Sequence, residues 1–281
     1  MSMAGIFNPR ARTLNRMVPS DRHREPPPMT PPTARNRWTV VGPLSLGLAW
    51  TVVSGDLLRP WLRAHLPASA LEVPYLASAL ISAADLVLMT LLVALALRVT
   101  PWRVLARAGL AAPIAPPLTW SLVWLVPGLV AASLLATPVD SVTVADIAWL
   151  ALGGPISEEI LYRGIAVGVL VRACGWHWLP ACLWPALFFG VIHAGQGQDL
   201  GSTLGVVAMT GAGGLLFGWL FVRWDFNLWP PILLHVGLNG LWLVFGLGDD
   251  AIGGLVGNGL RLGIVMVAIV ATIRMAPRPN P

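Results

Sequence analysis

Eight apolar stretches, at roughly 39–58, 75–97, 117–136, 143–171, 177–195, 202–222, 230–247 and 252–273, occupy most of the chain after its first 37 residues. Each is near the length of about 20 residues that a helix needs to cross the hydrocarbon of a bilayer. Lipid offers no partner to a free N–H or C=O, so spanning stretches must be helices; a barrel would show short alternating strands instead. The expected fold class is therefore all-α, a polytopic membrane helix bundle with about eight transmembrane helices. Charge depletion agrees. Only 11% of residues are charged and 56% are hydrophobic, against about 25% and about 45–50% in soluble domains.

The domain division expected is a disordered, cytoplasmic Arg/Pro-rich tail over 1–37 and an eight-helix domain over 38–275. The tail holds Pro26-Pro27-Pro28 and Pro31-Pro32 but no apolar core, which excludes a cleaved signal peptide. All 18 basic residues of the chain are arginine. Together with abundant Ala, Gly and Pro, this reads as codon bias of a GC-rich bacterial genome, so the net charge of +5 is not a nucleic-acid signal. Arginine placement instead sets orientation. The seven tail arginines and Arg98, Arg103, Arg107, Arg172, Arg223, Arg274 and Arg278 fall on one side, with Arg59 and Arg63 on the other. Glu72, Asp140, Asp199, Asp249 and Asp250 fall on the arginine-poor side. The positive-inside rule then puts both termini in the cytoplasm and the chain in a bacterial inner membrane. Trp102–Leu110 reads as a short interfacial helix. Cys174 and Cys182 have neither disulfide nor metal spacing and read as buried thiols.

Against this background the ionisable groups inside the spans stand out, since a charge at mid-membrane costs about 2.5–3.5 kcal/mol on insertion scales. The fourth stretch carries Ser157-Glu158-Glu159-Ile160-Leu161-Tyr162-Arg163-Gly164. Glu159 and Arg163 are i and i+4 with the acid first, the favourable order for an ion pair. Glu158 is rotated about 100° from Glu159, which leaves it to face a cavity as a general base. Pro155, after Gly153-Gly154, is expected to kink or widen the helix. The fifth stretch ends with Phe189 and His193 on one face; the seventh carries His235 and Asn239, also i and i+4. The last two could donate to one oxyanion or contribute metal ligands. Polar side chains also glue membrane helices together. Two carboxylates, an arginine, two histidines and an asparagine on three spans are too concentrated for glue alone; Asp56, Asp85 and Arg261 are the further charges assigned to spans.

The order Glu158-Glu159-x-x-x-Arg163, Phe189-x-x-x-His193, His235-x-x-x-Asn239 resembles the CPBP family, the type II CAAX prenyl endopeptidases and bacterial Abi-like intramembrane proteases. The text Gly218-Trp219-Leu220-Phe221-Val222-Arg223 and Asn227-Leu228-Trp229-Pro230-Pro231-Ile232 is similar too. The resemblance covers about 143–245. It implies an intramembrane endopeptidase acting on a membrane-associated protein or peptide. In it Glu158 and His193 would activate water, His235 and Asn239 would stabilise the oxyanion, and Glu159, Arg163 and Phe189 would give structural support. No obligatory cofactor is expected. Zinc stays open, with Glu158, His193 and His235 as its ligands, although there is no HExxH. Oligomeric state is not legible.

Other protease chemistries fit less well. No Gly-x-Ser-Gly nucleophile is present for a rhomboid-type enzyme. Gly246-Leu247-Gly248-Asp249 matches a presenilin-like motif but reads as a loop turn, without a Tyr-Asp partner on another span. The non-enzymatic alternative is a membrane scaffold or proton-coupled transporter. A transporter would show an internal repeat, whereas the polar groups sit only in the second half.

Overall fold

The computed structural model describes residues 34–248 and 253–277. The first 33 residues of the expected tail, the Asp249-Asp250 turn and Arg278 lie outside the described residues. Among the described residues the main helices are α1 Ala34–His65, α2 Leu76–Leu97, α3 Pro101–Ala106, α4 Ala115–Leu135, a composite α5 over 144–172, α6 Trp178–Val191, α7 Leu200–Arg223, α8 Trp229–Phe245 and α9 Leu255–Met275, with single helical turns at Ala68–Leu71 and Ala194–Gln196. No strand occurs among the described residues. The chain is a multi-pass helical membrane protein.

Among the described residues six helices are long and apolar enough to cross a membrane: α1, α2, α4, α6 with the turn after it, α7 and α9. The other two expected spans, at 143–171 and 230–247, are not among these six. α8 is apolar and has 17 residues. The composite α5 is broken in winding and carries the polar groups. It alternates α-helix (Val144–Asp146), π-helix (Ile147–Gly153), α-helix (Gly154–Glu158), π-helix (Glu159–Val167) and α-helix (Gly168–Arg172). Pro155 sits in the first turn of the middle α piece, where its missing N–H cannot continue the ladder. The widening expected there takes the form of π segments on both sides, a winding found frequently at functional sites.

The helices pack as neighbouring pairs, α1 with α2, α4 with α9 and α6 with α7, while α8 lies against α4 and the first π segment. Trp120 and Trp124 of α4 are fully buried, and Trp120 meets Trp224 edge-on at 5.9 Å. Its Nε1 donates to the Ala268 carbonyl of α9 at 3.2 Å. Close approach of α6 and α7 depends on missing side chains. A Cβ on Gly214 would stand 3.1 Å from the Ala186 Cβ, and one on Gly218 only 2.8 Å from the Cys182 Sγ. The glycine-rich run of α7 is thus a packing surface. Cys174 and Cys182 are buried free thiols.

Candidate active site

The fourth predicted segment delivers its acids to a single imidazole. Glu159 is fully buried, and its Oε1 accepts from Arg163 Nη1 at 2.9 Å and from His235 Nδ1 at 2.8 Å. Glu158 lies on the other side of the same ring, its Oε2 3.8 Å from His235 Nε2. Its side chain keeps 28% of its exposure, so it borders open space while Glu159 does not. The 100° rotation separates the two carboxylates as the sequence predicts. What spacing could not show is that both address His235, one at each nitrogen.

These contacts fix the tautomer at one end of each histidine. A carboxylate only accepts, so His235 donates through Nδ1 and turns Nε2 toward Glu158. His193 is held in the same manner: its Nδ1 lies 2.7 Å from the Phe189 carbonyl, which makes Nδ1 the donor and leaves Nε2 an acceptor when the ring is neutral. His193 and Glu158 share no hydrogen bond among the described residues. Phe189 instead links His193 to His235, its ring centroid standing 4.8 Å from the first and 6.2 Å from the second. Asn239, one turn beyond His235, donates from Nδ2 to the Leu150 carbonyl in the first π segment at 3.1 Å. That bond uses one of its two amide protons.

Arg163 does more than neutralise Glu159. Its guanidinium lies 4.4 Å from the Phe189 ring and 5.2 Å from the Phe217 ring. Charge is held there between aromatic faces, a favourable arrangement away from water. One oxygen of the acid and one nitrogen of the base, Glu159 Oε2 and Arg163 Nη2, nevertheless have no hydrogen-bond partner.

Two contributors were not found from sequence. Phe217 of α7 stacks on His235 with centroids 4.9 Å apart and 26° between planes. An aromatic residue in an apolar run carries no signal that separates it from core. The other contributor is α1, whose Thr51 Oγ1 pairs with the Tyr162 hydroxyl at 2.8 Å. Three residues on, Ser54 donates to Asp85 of α2 at 3.0 Å. The intramembrane Asp85 therefore belongs to the junction of α1 and α2.

Zinc is held by three or four N, O or S donors at about 2.0–2.3 Å. Among the described residues no group of three His, Cys, Asp or Glu side chains converges in that way. Glu158, His193 and His235 thus do not form a ready three-ligand cradle.

No curated protein and no solved structure matches the chain. A family does. Residues 140–241 match the model of the family described as type II CAAX prenyl endopeptidase Rce1-like. The matched stretch takes in α5, α6, α7 and α8 as far as His235 and Asn239, and leaves α1 to α4 and α9 outside. This match supports membership of the CPBP family of intramembrane proteases.

Proposed function

We propose that the chain is an intramembrane endopeptidase that hydrolyses a peptide bond in a membrane-associated protein or peptide, with Glu158 as general base. The observation that carries this reading is the 3.8 Å gap between Glu158 Oε2 and His235 Nε2, with the far nitrogen of the ring fastened to Glu159. Two groups that far apart can share a water seated to one side of the line between them, at about 2.8 Å from each. Glu158 takes a proton from the water as its oxygen attacks the carbonyl carbon, and His193, whose Nδ1 is committed to the Phe189 carbonyl, is assigned the part of a second acceptor through Nε2. The C–O bond forms while the carbonyl oxygen takes the negative charge.

Two donors can meet that oxygen, the free amide proton of Asn239 and an Nε2 proton on His235. His235 donates from Nε2 only as an imidazolium, because Nδ1–H is committed to Glu159. Charge then balances locally: two carboxylates face one guanidinium and one imidazolium. Collapse of the intermediate breaks the C–N bond, and Glu158 returns its proton to the leaving amine. Glu159, Arg163, Phe189 and Phe217 hold the reacting groups in place. The setting proposed is a bacterial inner membrane with both termini cytoplasmic. The substrates proposed are peptide precursors or membrane proteins, since bacteria generally lack prenylated ones.

Glu158→Gln tests this directly. Removing a general base lowers turnover by about 10²–10⁴-fold, so cleavage of a membrane-bound reporter by the purified full chain should fall by that factor. Thermal stability should stay close to that of the parent, since Glu158 is partly exposed. Cleavage that survives the change in a folded preparation removes Glu158 from the chemistry and leaves a scaffold or transporter as the better account.

A further inference from the structure

The face that α4 and α9 turn away from the bundle carries a concavity whose lining residues do not belong to the acidic site. Its volume is about 470 Å³, and its walls include Val123 of α4 with Met266, Val267, Val270 and Met275 of α9. The one charged lining residue is Arg274, in the last turn of α9. Both helices are apolar enough to span a membrane, so this groove opens on lipid.

Length, wall chemistry and charge select one kind of occupant. Met266 to Met275 covers about 13 Å of helix axis at 1.5 Å per residue. That is close to half of a hydrocarbon core of about 30 Å, the depth of one leaflet. Valine and methionine walls offer no hydrogen bond and suit an alkyl chain; methionine adapts to an irregular one. Arg274 has no hydrogen bond or ion pair with the described residues. Arg223, at the end of α7, reaches the same end of α9 by donating to the Pro277 carbonyl. Two guanidinium groups therefore stand where the headgroup of such a lipid would lie.

We propose that this groove is a phospholipid site, in which one acyl chain lies between α4 and α9 and the headgroup phosphate accepts from Arg274, with anionic headgroups preferred. A basic residue at a membrane surface favours an anionic lipid by about fivefold. The inference does not depend on the peptidase reading.

Native mass spectrometry of the full chain, titrated with phosphatidylglycerol or phosphatidylcholine of the same acyl chains, reads the site out. The first lipid adduct should form about fivefold more tightly with phosphatidylglycerol. Arg274→Gln should bring it down to the phosphatidylcholine value. Val270→Trp, which fills the groove, should weaken the first adduct of both lipids about tenfold; Val267→Trp repeats the test should the first variant not fold. Equal retention of the two lipids by the parent protein overturns the proposal, as do filled variants that bind like the parent. A dimer that Val270→Trp abolishes would give the groove to a second copy of the chain instead.

Discussion

Replacing Arg163 by Met removes one partner from a pair whose side chains are 2% and 0% exposed. Glu159 would keep its bond from His235 but lose its cation, and its Oε2 already lacks a partner. Breaking a buried ion pair from one side costs about 3–5 kcal/mol, because the remaining charge is left uncompensated. At about 2–4 °C per kcal/mol for a chain near this size, the loss corresponds to about 6–20 °C in Tm. The double variant Glu159→Gln/Arg163→Met removes both charges. Replacing a buried pair by neutral groups is often close to neutral, so most of the lost stability should return, giving a coupling well above the roughly 0.5 kcal/mol within which independent sites add. Thermal unfolding of the four purified proteins in one detergent measures the cycle. An Arg163→Met protein within about 2 °C of the parent, or a double variant no better than the single, would show that the pair is not the electrostatic anchor of the site. Cleavage by the double variant should stay low, since His235 would lose the carboxylate on its Nδ1.

Phe217→Leu removes the ring stacked on His235, and aromatic pairing of this kind contributes about 0.5–1.5 kcal/mol; reporter turnover should fall by about 2–10-fold, and an unchanged rate would dismiss the stacking as incidental. Gly218→Ala places a methyl 2.8 Å from Cys182 Sγ and 3.0 Å from its Cβ. Overpacking costs about 1–3 kcal/mol, so Tm should drop and should partly recover when Cys182→Ala is added. Asp199 caps α7 by accepting from the Ser202 N–H at 2.8 Å, and that bond holds its carboxyl below the ordinary 3.8. The sign follows from linkage: a depressed carboxyl stabilises the fold above its unfolded value, and the contribution is lost as pH falls through the folded value. Asp199→Ala should therefore lower Tm at neutral pH, and the difference should close below about pH 4, as unfolding curves across pH would record.

The helices were legible because a long apolar run in lipid has one backbone solution, and the observed ends at Leu97, Leu135 and Arg223 fall within one residue of those expected. Glu159 and Arg163 were legible as a pair because helical spacing brings them together. The bond from His235 to Glu159 was not, since it joins residues 76 apart on different helices and depends on how α8 docks. A widening near Pro155 was legible, but not its extent over Ile147–Gly153 and Glu159–Val167, because less than one additional residue per turn leaves little trace in a mostly apolar run. Thr51 and Phe217 were invisible for a related reason. Each is an ordinary residue in its own span and gains a role only from what the neighbouring helix brings to it.

The shortness of α8 has a consequence for where the cost of crossing is met. Seventeen helical residues reach about 25 Å at 1.5 Å per residue, some 5 Å less than an average hydrocarbon core. No residue of Trp229–Phe245 is exposed, so other helices and not lipid surround it. The missing depth therefore lies within the protein, where the end groups of an abbreviated helix are satisfied by neighbouring chain or by water and the surrounding bilayer keeps its thickness.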